Sequence, residues 1–395
     1  MSISKNNRFF LRLSFYLFAF FAWSAVFLCS LELYERLRWK NILRKNELII
    51  DAQLERAKFT QAFSDSLWDN PWISYKKNRE VAFDLGGRQF QIKTNNIGLR
   101  DDFVTLPKPG NVFRILCIGG STTVEGWTNA TTYPNLLEKQ LQKVFANQSI
   151  EVINCGVSGL DSYGELKKAT EYLGLNPDFI IEYNAVNDIC WRYIPHLKKH
   201  TSWWKQILWN SRFLTCHMNW HLLPGEKAVE AYFNRTTLHN LRSLQKAAAG
   251  RNIPMVFCSF ARPDIDTLGK EDRNFFESDI ENVWRSEFVN FESYCRIVDI
   301  YNQSLKKMCR DNDIPYIPVA EHHRGDLDYF IDICHLTQKG IQEKVNIIFK
   351  YLQSLLVEMF TPEAADSTIE SIETNFTRLL SEKRYTLTLK PYKEI

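Results

Sequence analysis

The chain has 395 residues, of which 45% are hydrophobic and 24% charged, with a formal net charge of +3. That balance fits a folded chain with a sizeable core. It excludes the strongly basic composition that marks nucleic-acid-binding domains. The nine cysteines include no CxxC pair, so neither a zinc site nor a disulfide framework is indicated. Cys117, Cys155, Cys190 and Cys258 stand in apolar runs and read as small buried hydrophobes.

In chain order, the first feature is "LSFYLFAFFAWSAVFLCSL", residues 13–31, which carries no charge. A helix needs about 20 apolar residues to cross a bilayer. No small-residue cleavage pattern follows, because "LELYERLRWK" is bulky and charged. The segment is expected to be an uncleaved single-span anchor, and residues 1–35 are assigned to it. Lys5, Arg8 and Arg12 precede the span, while Arg36, Arg38, Lys40, Arg44 and Lys45 follow it. By the positive-inside rule alone, that count would keep the bulk of the chain in the cytoplasm.

Residues 36–110 form a helix-like charged stalk and a small β preamble. "EVAFDLGGRQFQIKTNNIGLRD" alternates and turns like a small β element, and "LPKPG" at 106–110 is a linker. Five strand-like runs follow: "VFRILCIGG", "IEVINCGV", "DFIIEYNAV", "IPMVFCSF" and "IPYIPVA". Helical patterns separate them and one closes the series at "TQKGIQEKVNIIFKYLQSLL". Apolar strands alternating with amphipathic helices predict a parallel sheet covered on both faces. In such sheets, ligands bind at the carboxyl ends of the strands. Residues 190–245 interrupt the alternation with Trp191, Trp203, Trp204, Trp209 and Trp220. They fit a lid, an interfacial anchor or a small satellite core, with the last preferred because aromatics bury so much area. Residues 357–395 form a polar, helix-like tail without a motif.

Ser121 closes the first strand run in "GGSTT". No lysine follows to make a phosphate loop. The serine fits either a helix N-cap or a nucleophile held open by the glycines, with backbone N–H groups facing a developing oxyanion. A serine nucleophile needs a base, and a base needs an orienting carboxylate. "DICHLT" offers His335 and Asp332, and spacing of three would put them on one face of a helical turn. A helix-start histidine with a capping aspartate is the plainer alternative. Gly156 after the second strand could bring a backbone N–H to an oxyanion, and Asn187 after the third could donate its side-chain amide. Either could equally belong to an ordinary turn. His322 and His323 read as a loop pair.

Taken together, "GGSTT", "NCGVSG", "NAVND" and "DICHLT" resemble the SGNH hydrolase superfamily, also called GDSL esterases/lipases, over roughly residues 111–356. The resemblance implies a flavodoxin-like three-layer α/β/α sandwich with a parallel sheet, preceded here by the N-terminal transmembrane helix. It implies Ser121 as nucleophile, His335 as base and Asp332 as its orienter. The oxyanion hole would be the Ser121 N–H, the Gly156 N–H and the Asn187 side chain, with no cofactor and no metal. The family's Gly-Asp-Ser reads Gly119-Gly120-Ser121 here, and Ala185 replaces the glycine of Gly-x-Asn-Asp. "TNNIGLRD" is similar to a preamble of membrane-anchored members. Those members mostly place the catalytic domain outside the cytoplasm, against the lysine and arginine count. The expectation is a membrane-anchored serine esterase acting on an acyl ester of a glycan, a lipid or the cell envelope. An O-acyltransferase using the same residues, or a non-catalytic glycan-binding or assembly protein on the same scaffold, is the alternative.

Overall fold

The computed structural model describes residues 5–45, 67–70, 73–85, 88–282 and 289–360. Residues 46–66 of the expected stalk and 361–395 of the expected tail lie outside the described residues. The chain divides into two units, Met1–Ile348 and Phe349–Ile395. The described part of the second is the end of the Gln338–Phe360 helix.

The N-terminal helix runs without interruption from Lys5 to Lys45, so it passes through the anchor boundary expected at residue 35. It is the one helix, among the described residues, that is long and apolar enough to cross a membrane. None of its most apolar stretch is buried among the described residues.

Two small antiparallel pairs follow: β1 (Trp68–Asn70) with β2 (Ser74–Tyr75), and β3 (Glu80–Leu85) with β4 (Arg88–Lys93). The second pair lies in the stretch expected to form a small β element. Leu67, Tyr75 and Ile92 cluster with Val157 and Leu160, which stand beyond a strand of the main sheet. The Tyr75 hydroxyl accepts from the Ser158 N–H at 2.8 Å. The preamble is thereby fastened beside the carboxyl end of the sheet.

That sheet has five parallel strands: β5 (Val112–Gly119), β6 (Ser149–Asn154), β7 (Phe179–Tyr183), β8 (Met255–Cys258) and β9 (Tyr316–Ile317), in the order β6-β5-β7-β8-β9. All five correspond to the five apolar runs. Every residue of β7 and β8 is buried, as are the last six of β5. Strands buried on both faces lie between two layers of helices, so the fold is a three-layer α/β/α sandwich. Renumbered within the sheet, the order is 2-1-3-4-5, the flavodoxin-like arrangement, whose switch point lies between its first and third strands. Here those strands are β5 and β7.

The helices largely match the periodic segments: Tyr133–Val144, Thr237–Ala249, Phe291–Asp311 and Gln338–Phe360. Between β6 and β7 the helical segment is broken at Lys168 into Ser162–Lys167 and Ala169–Gly174. The regular structure of the insertion is helical, with short turns between the helices. A π-turn at Asp188–Tyr193 leads into the short helices Ile194–His200, Trp203–Trp209, Arg212–His217, Asn219–Leu222 and Glu226–Arg235. A satellite core accounts for Trp209, which is buried, but Trp191, Trp203 and Trp204 are exposed. The nine cysteines are free thiols, and Cys117, Cys155, Cys190 and Cys258 are buried as expected.

Candidate active site

β5 and β7 are hydrogen-bonded neighbours up to the pair Gly119–Tyr183. Ser121 follows the first and Asn187 the second, so the two stand on either side of the switch point, where an α/β sheet opens a crevice. The bend after β5 requires glycine. A Cβ at Gly120 would come within 2.5 Å of Asn187 Nδ2 and 3.1 Å of Asn184 Oδ1. The missing side chain is thus what lets the Ser121 turn and the Asn187 turn approach each other.

Ser121 is the first residue of the helix Ser121–Val124, and Gly120 occupies the cap. The serine therefore does not act as the N-cap. Its hydroxyl instead lies 2.8 Å from His335 Nε2. His335 Nδ1 lies 2.7 Å from Asp332 Oδ2. The other carboxylate oxygen of Asp332 accepts the N–H groups of Cys334 at 2.8 Å and His335 at 2.7 Å. The expected pairing of Asp332 and His335 on a helical turn is corrected here. Residues 331–335 form an irregular loop wrapped around the Asp332 side chain, and the following helix begins only at Gln338. An aspartate that satisfies two backbone donors competes with the helical ladder, which explains the loop. Thr337 Oγ1 accepts from the Gly340 N–H at 3.2 Å, so capping of the last helix falls to Thr337 and neither Asp332 nor His335 serves it. The Asp332 side chain is 6% exposed and that of His335 23%. The carboxylate is shielded while the imidazole and Ser121 face the crevice mouth.

Asn187 is buried, and its Nδ2 donates to the Leu160 carbonyl at 2.8 Å, leaving its second N–H beside Gly120. The Gly156 N–H donates to Asn154 Oδ1 at 3.1 Å. In this geometry it is engaged within its own loop, because the asparagine closes a tight turn around it. The Ser121 N–H begins a helix, where backbone donors have no intrahelical acceptor. Asp188, next to Asn187, is tied by three donors: Ser162 Oγ at 2.6 Å, Ser162 N at 2.9 Å and Thr237 Oγ1 at 2.9 Å. Burial pushes its carboxyl up to about 6.

Glu125 and Lys344 contribute to the site although neither carried a sequence signal of its own. Glu125 Oε2 accepts the Leu336 N–H at 2.8 Å, one residue beyond His335. Its Oε1 is 2.6 Å from Lys344 Nζ, which also donates to the Thr122 carbonyl at 2.7 Å. Lys344 lies 4.5 Å above both the Tyr133 and Tyr183 rings. Burial pulls its ammonium below the ordinary lysine range, and Glu125 opposes that pull. This pair joins the serine helix to the histidine loop. From the preamble, Arg100 donates to the carbonyls of Val124 and Gly126. Neighbouring Asp101 accepts the Asn154 N–H at 2.6 Å and the Asn135 amide at 2.9 Å. Burial pushes the Asp101 carboxyl up to about 6.

Among the described residues, the one group of three His, Cys or acidic side chains with ligand atoms within 4.8 Å of each other is Asp332, Cys334 and His335. Burial raises the Cys334 thiol well above its ordinary range, so it stays neutral and is a poor metal ligand. His323 faces two carbonyls, Arg324 through Nδ1 at 2.6 Å and Gly340 through Nε2 at 3.0 Å. Both its nitrogens are occupied in holding the loop, whereas His322, expected beside it in a loop, is the last residue of the short helix Val319–His322.

No family model matches the chain, and no curated protein matches it. Among solved structures, the chain is similar to a GDSL-like lipase from Parabacteroides merdae at 18% identity and TM-score 0.41, covering 63% of this chain and 97% of that one. It is similar to an acetylxylan esterase from Geobacillus stearothermophilus at 15% identity and TM-score 0.40, covering 60% and 93%. It is also similar to an acylhydrolase from Bacteroides fragilis at 16% identity and TM-score 0.38, covering 64% and 92%. The fold assignment stands on the strand order described above and not on these partial overlaps.

Proposed function

We propose that this chain is a membrane-anchored serine esterase of the SGNH type. The observation that carries the reading is the unbroken line Asp332–His335–Ser121, with links of 2.7 and 2.8 Å, at the carboxyl ends of a flavodoxin-like sheet. A serine hydroxyl becomes a nucleophile when an adjacent, oriented base takes its proton. His335 Nε2 takes that proton as Ser121 Oγ bonds to the ester carbonyl carbon. Asp332 holds the imidazole with Nδ1 carrying hydrogen and stabilises the imidazolium that forms.

The oxyanion is met by the Ser121 N–H and the Asn187 amide. The Gly156 N–H joins them on leaving Asn154. The tetrahedral adduct collapses, the alcohol departs with the proton from His335 Nε2, and the acyl group remains on Ser121. Water then bonds to the acyl carbon as His335 takes its proton, and the second adduct collapses with His335 returning that proton to Ser121 Oγ as the acid leaves. A sugar hydroxyl in place of water would make the same residues an O-acyltransferase.

Substrate is an acyl ester, with an O-acetyl glycan, a lipid and a cell-envelope ester as the classes proposed. The Lys5–Lys45 helix anchors the chain through residues 13–31, and we place the catalytic domain outside the cytoplasm. Protease accessibility of the C-terminal half in intact cells tests the orientation. A chromogenic acetyl ester, assayed with and without a glycan acceptor, tests the reaction. Hydrolysis lost in Ser121→Ala, with the fold retained, supports the esterase. Turnover that appears only with acceptor supports the acyltransferase. A wild-type protein that is folded but inert to both ester and serine-directed phosphonate overturns the catalytic reading in favour of a binding protein.

A further inference from the structure

The insertion is latched to the anchor helix at one level. Glu32, the residue after the uncharged run, accepts from Ser211 Oγ at 2.8 Å and from the Arg212 and Phe213 N–H groups at 3.0 Å each. Arg36 donates to the Asn210 carbonyl at 2.7 Å. One turn further, His217 Nε2 lies 3.1 Å from Glu35. Trp39 donates to Glu281 at 2.6 Å, and the Arg212 guanidinium lies 4.3 Å over its ring. The start of the Arg212–His217 helix is therefore fixed where the chain would leave the hydrocarbon.

The preceding helix, Trp203–Trp209, is seven residues long, so Trp203 and Trp204 stand within about 10–15 Å of the Glu32 latch. The headgroup layer on each side of a bilayer is itself roughly 5–8 Å deep. Trp203 is 74% exposed, Trp204 49% and Ile207 57%. Lys198 and Lys199 just before them are exposed, and the Lys205 ammonium lies 5.7 Å over the Trp204 ring. Tryptophan beside lysine is the composition of a membrane interface, with rings at headgroup level and cations toward lipid phosphates.

We infer that Trp203, Trp204 and Ile207 form a second membrane contact, seated in the headgroup layer of the bilayer that the N-terminal helix enters. The inference rests on the anchored reading above. It gives the insertion a role: helix and insertion together hold the domain at a fixed distance from the membrane surface.

The test uses the full-length protein in phospholipid nanodiscs, with tryptophan emission read against lipids brominated near the headgroup or deep in the acyl chain. Trp23 lies within the span and reports the anchor. Replacing it in W23F should remove most quenching by deeply brominated lipid. The double variant W203F/W204F should lower quenching by shallow-brominated lipid about two-fold while ester turnover stays unchanged. Shallow quenching equal in wild type and W203F/W204F, with the W23F effect intact, overturns this contact and leaves the anchor standing. No deep quenching lost in W23F overturns the anchor and this contact with it.

Discussion

Lys344, on the Gln338–Phe360 helix, and Glu125, at the end of the serine helix, form an ion pair at 2.6 Å with side chains 0% and 6% exposed, and Glu125 also accepts the Leu336 N–H beside His335. Removing one member strands a buried charge, which costs roughly 3–5 kcal/mol. Lys344→Met is expected to lose stability of that order and to lower kcat more than it raises KM, because the histidine loop loses its tie. Denaturant titration and steady-state kinetics of a short ester check both. Restoring a neutral pair in K344M/E125Q should recover part of the stability, and a double variant no better than the single one contradicts the coupling.

For Asp332, the expected effect is on geometry and charge together. Asp332→Asn keeps an oxygen for the Cys334 and His335 N–H groups but loses the carboxylate at His335 Nδ1. A fall in kcat of about 10³–10⁴ is expected, by comparison with other Ser-His-Asp sites, with circular dichroism unchanged. A variant within a few-fold of wild type would remove Asp332 from the reaction.

Asn187 and Gly156 differ in a way that kinetics can read. Asn187→Ala removes a side-chain donor that already points beside Gly120 and should cost about 10²–10³ in kcat. The Asn154 side chain holds the Gly156 N–H. Asn154→Ala frees that donor and should leave kcat within a few-fold if the N–H turns toward the oxyanion only during turnover. The two variants, assayed on one ester, separate a permanent donor from a recruited one.

Under the site lies a group of buried acids. Among the described residues, neither carboxylate oxygen of Glu182 on β7 has a hydrogen-bond partner. Glu165 meets the Asn184 amide through Oε1 at 2.8 Å, while its Oε2 has no hydrogen-bond partner among the described residues. Burial raises both above the ordinary carboxyl range. The unfolded chain releases these protons near pH 4.5, whereas the folded chain retains them to higher pH. The folded state binds more protons, so these groups stabilise fully below that pH and lose their contribution as pH rises through the folded values. Glu182→Gln should flatten the decline in Tm as pH rises above the ordinary carboxyl range, where the unfolded chain loses the proton that the buried Glu182 keeps. Parallel Tm curves for variant and wild type contradict it.

The sheet was legible because its strands are short apolar runs closed by glycine, proline or a polar turn. The residues around the crevice were legible because each stands just beyond such a run or in a recognisable short motif. Lys344 and Glu125 were not legible. They stand 219 residues apart, and a lysine in an amphipathic helix looks like any solvated one until the tyrosines that cover it are placed. The loop around Asp332 was misread as helical because spacing of three fits a turn of helix. Only the two backbone donors to its carboxylate show otherwise. The insertion was read for burial because tryptophan content says nothing of direction, and Trp203 and Trp209 share one short helix while facing opposite environments.

The most direct measurement is covalent labelling of the full-length protein with a fluorophosphonate, followed by mass mapping. The account predicts a single adduct on Ser121, formed in step with the loss of ester turnover and slowed strongly in His335→Ala. An adduct on another residue, or ester hydrolysis that persists in Ser121→Ala, would contradict it.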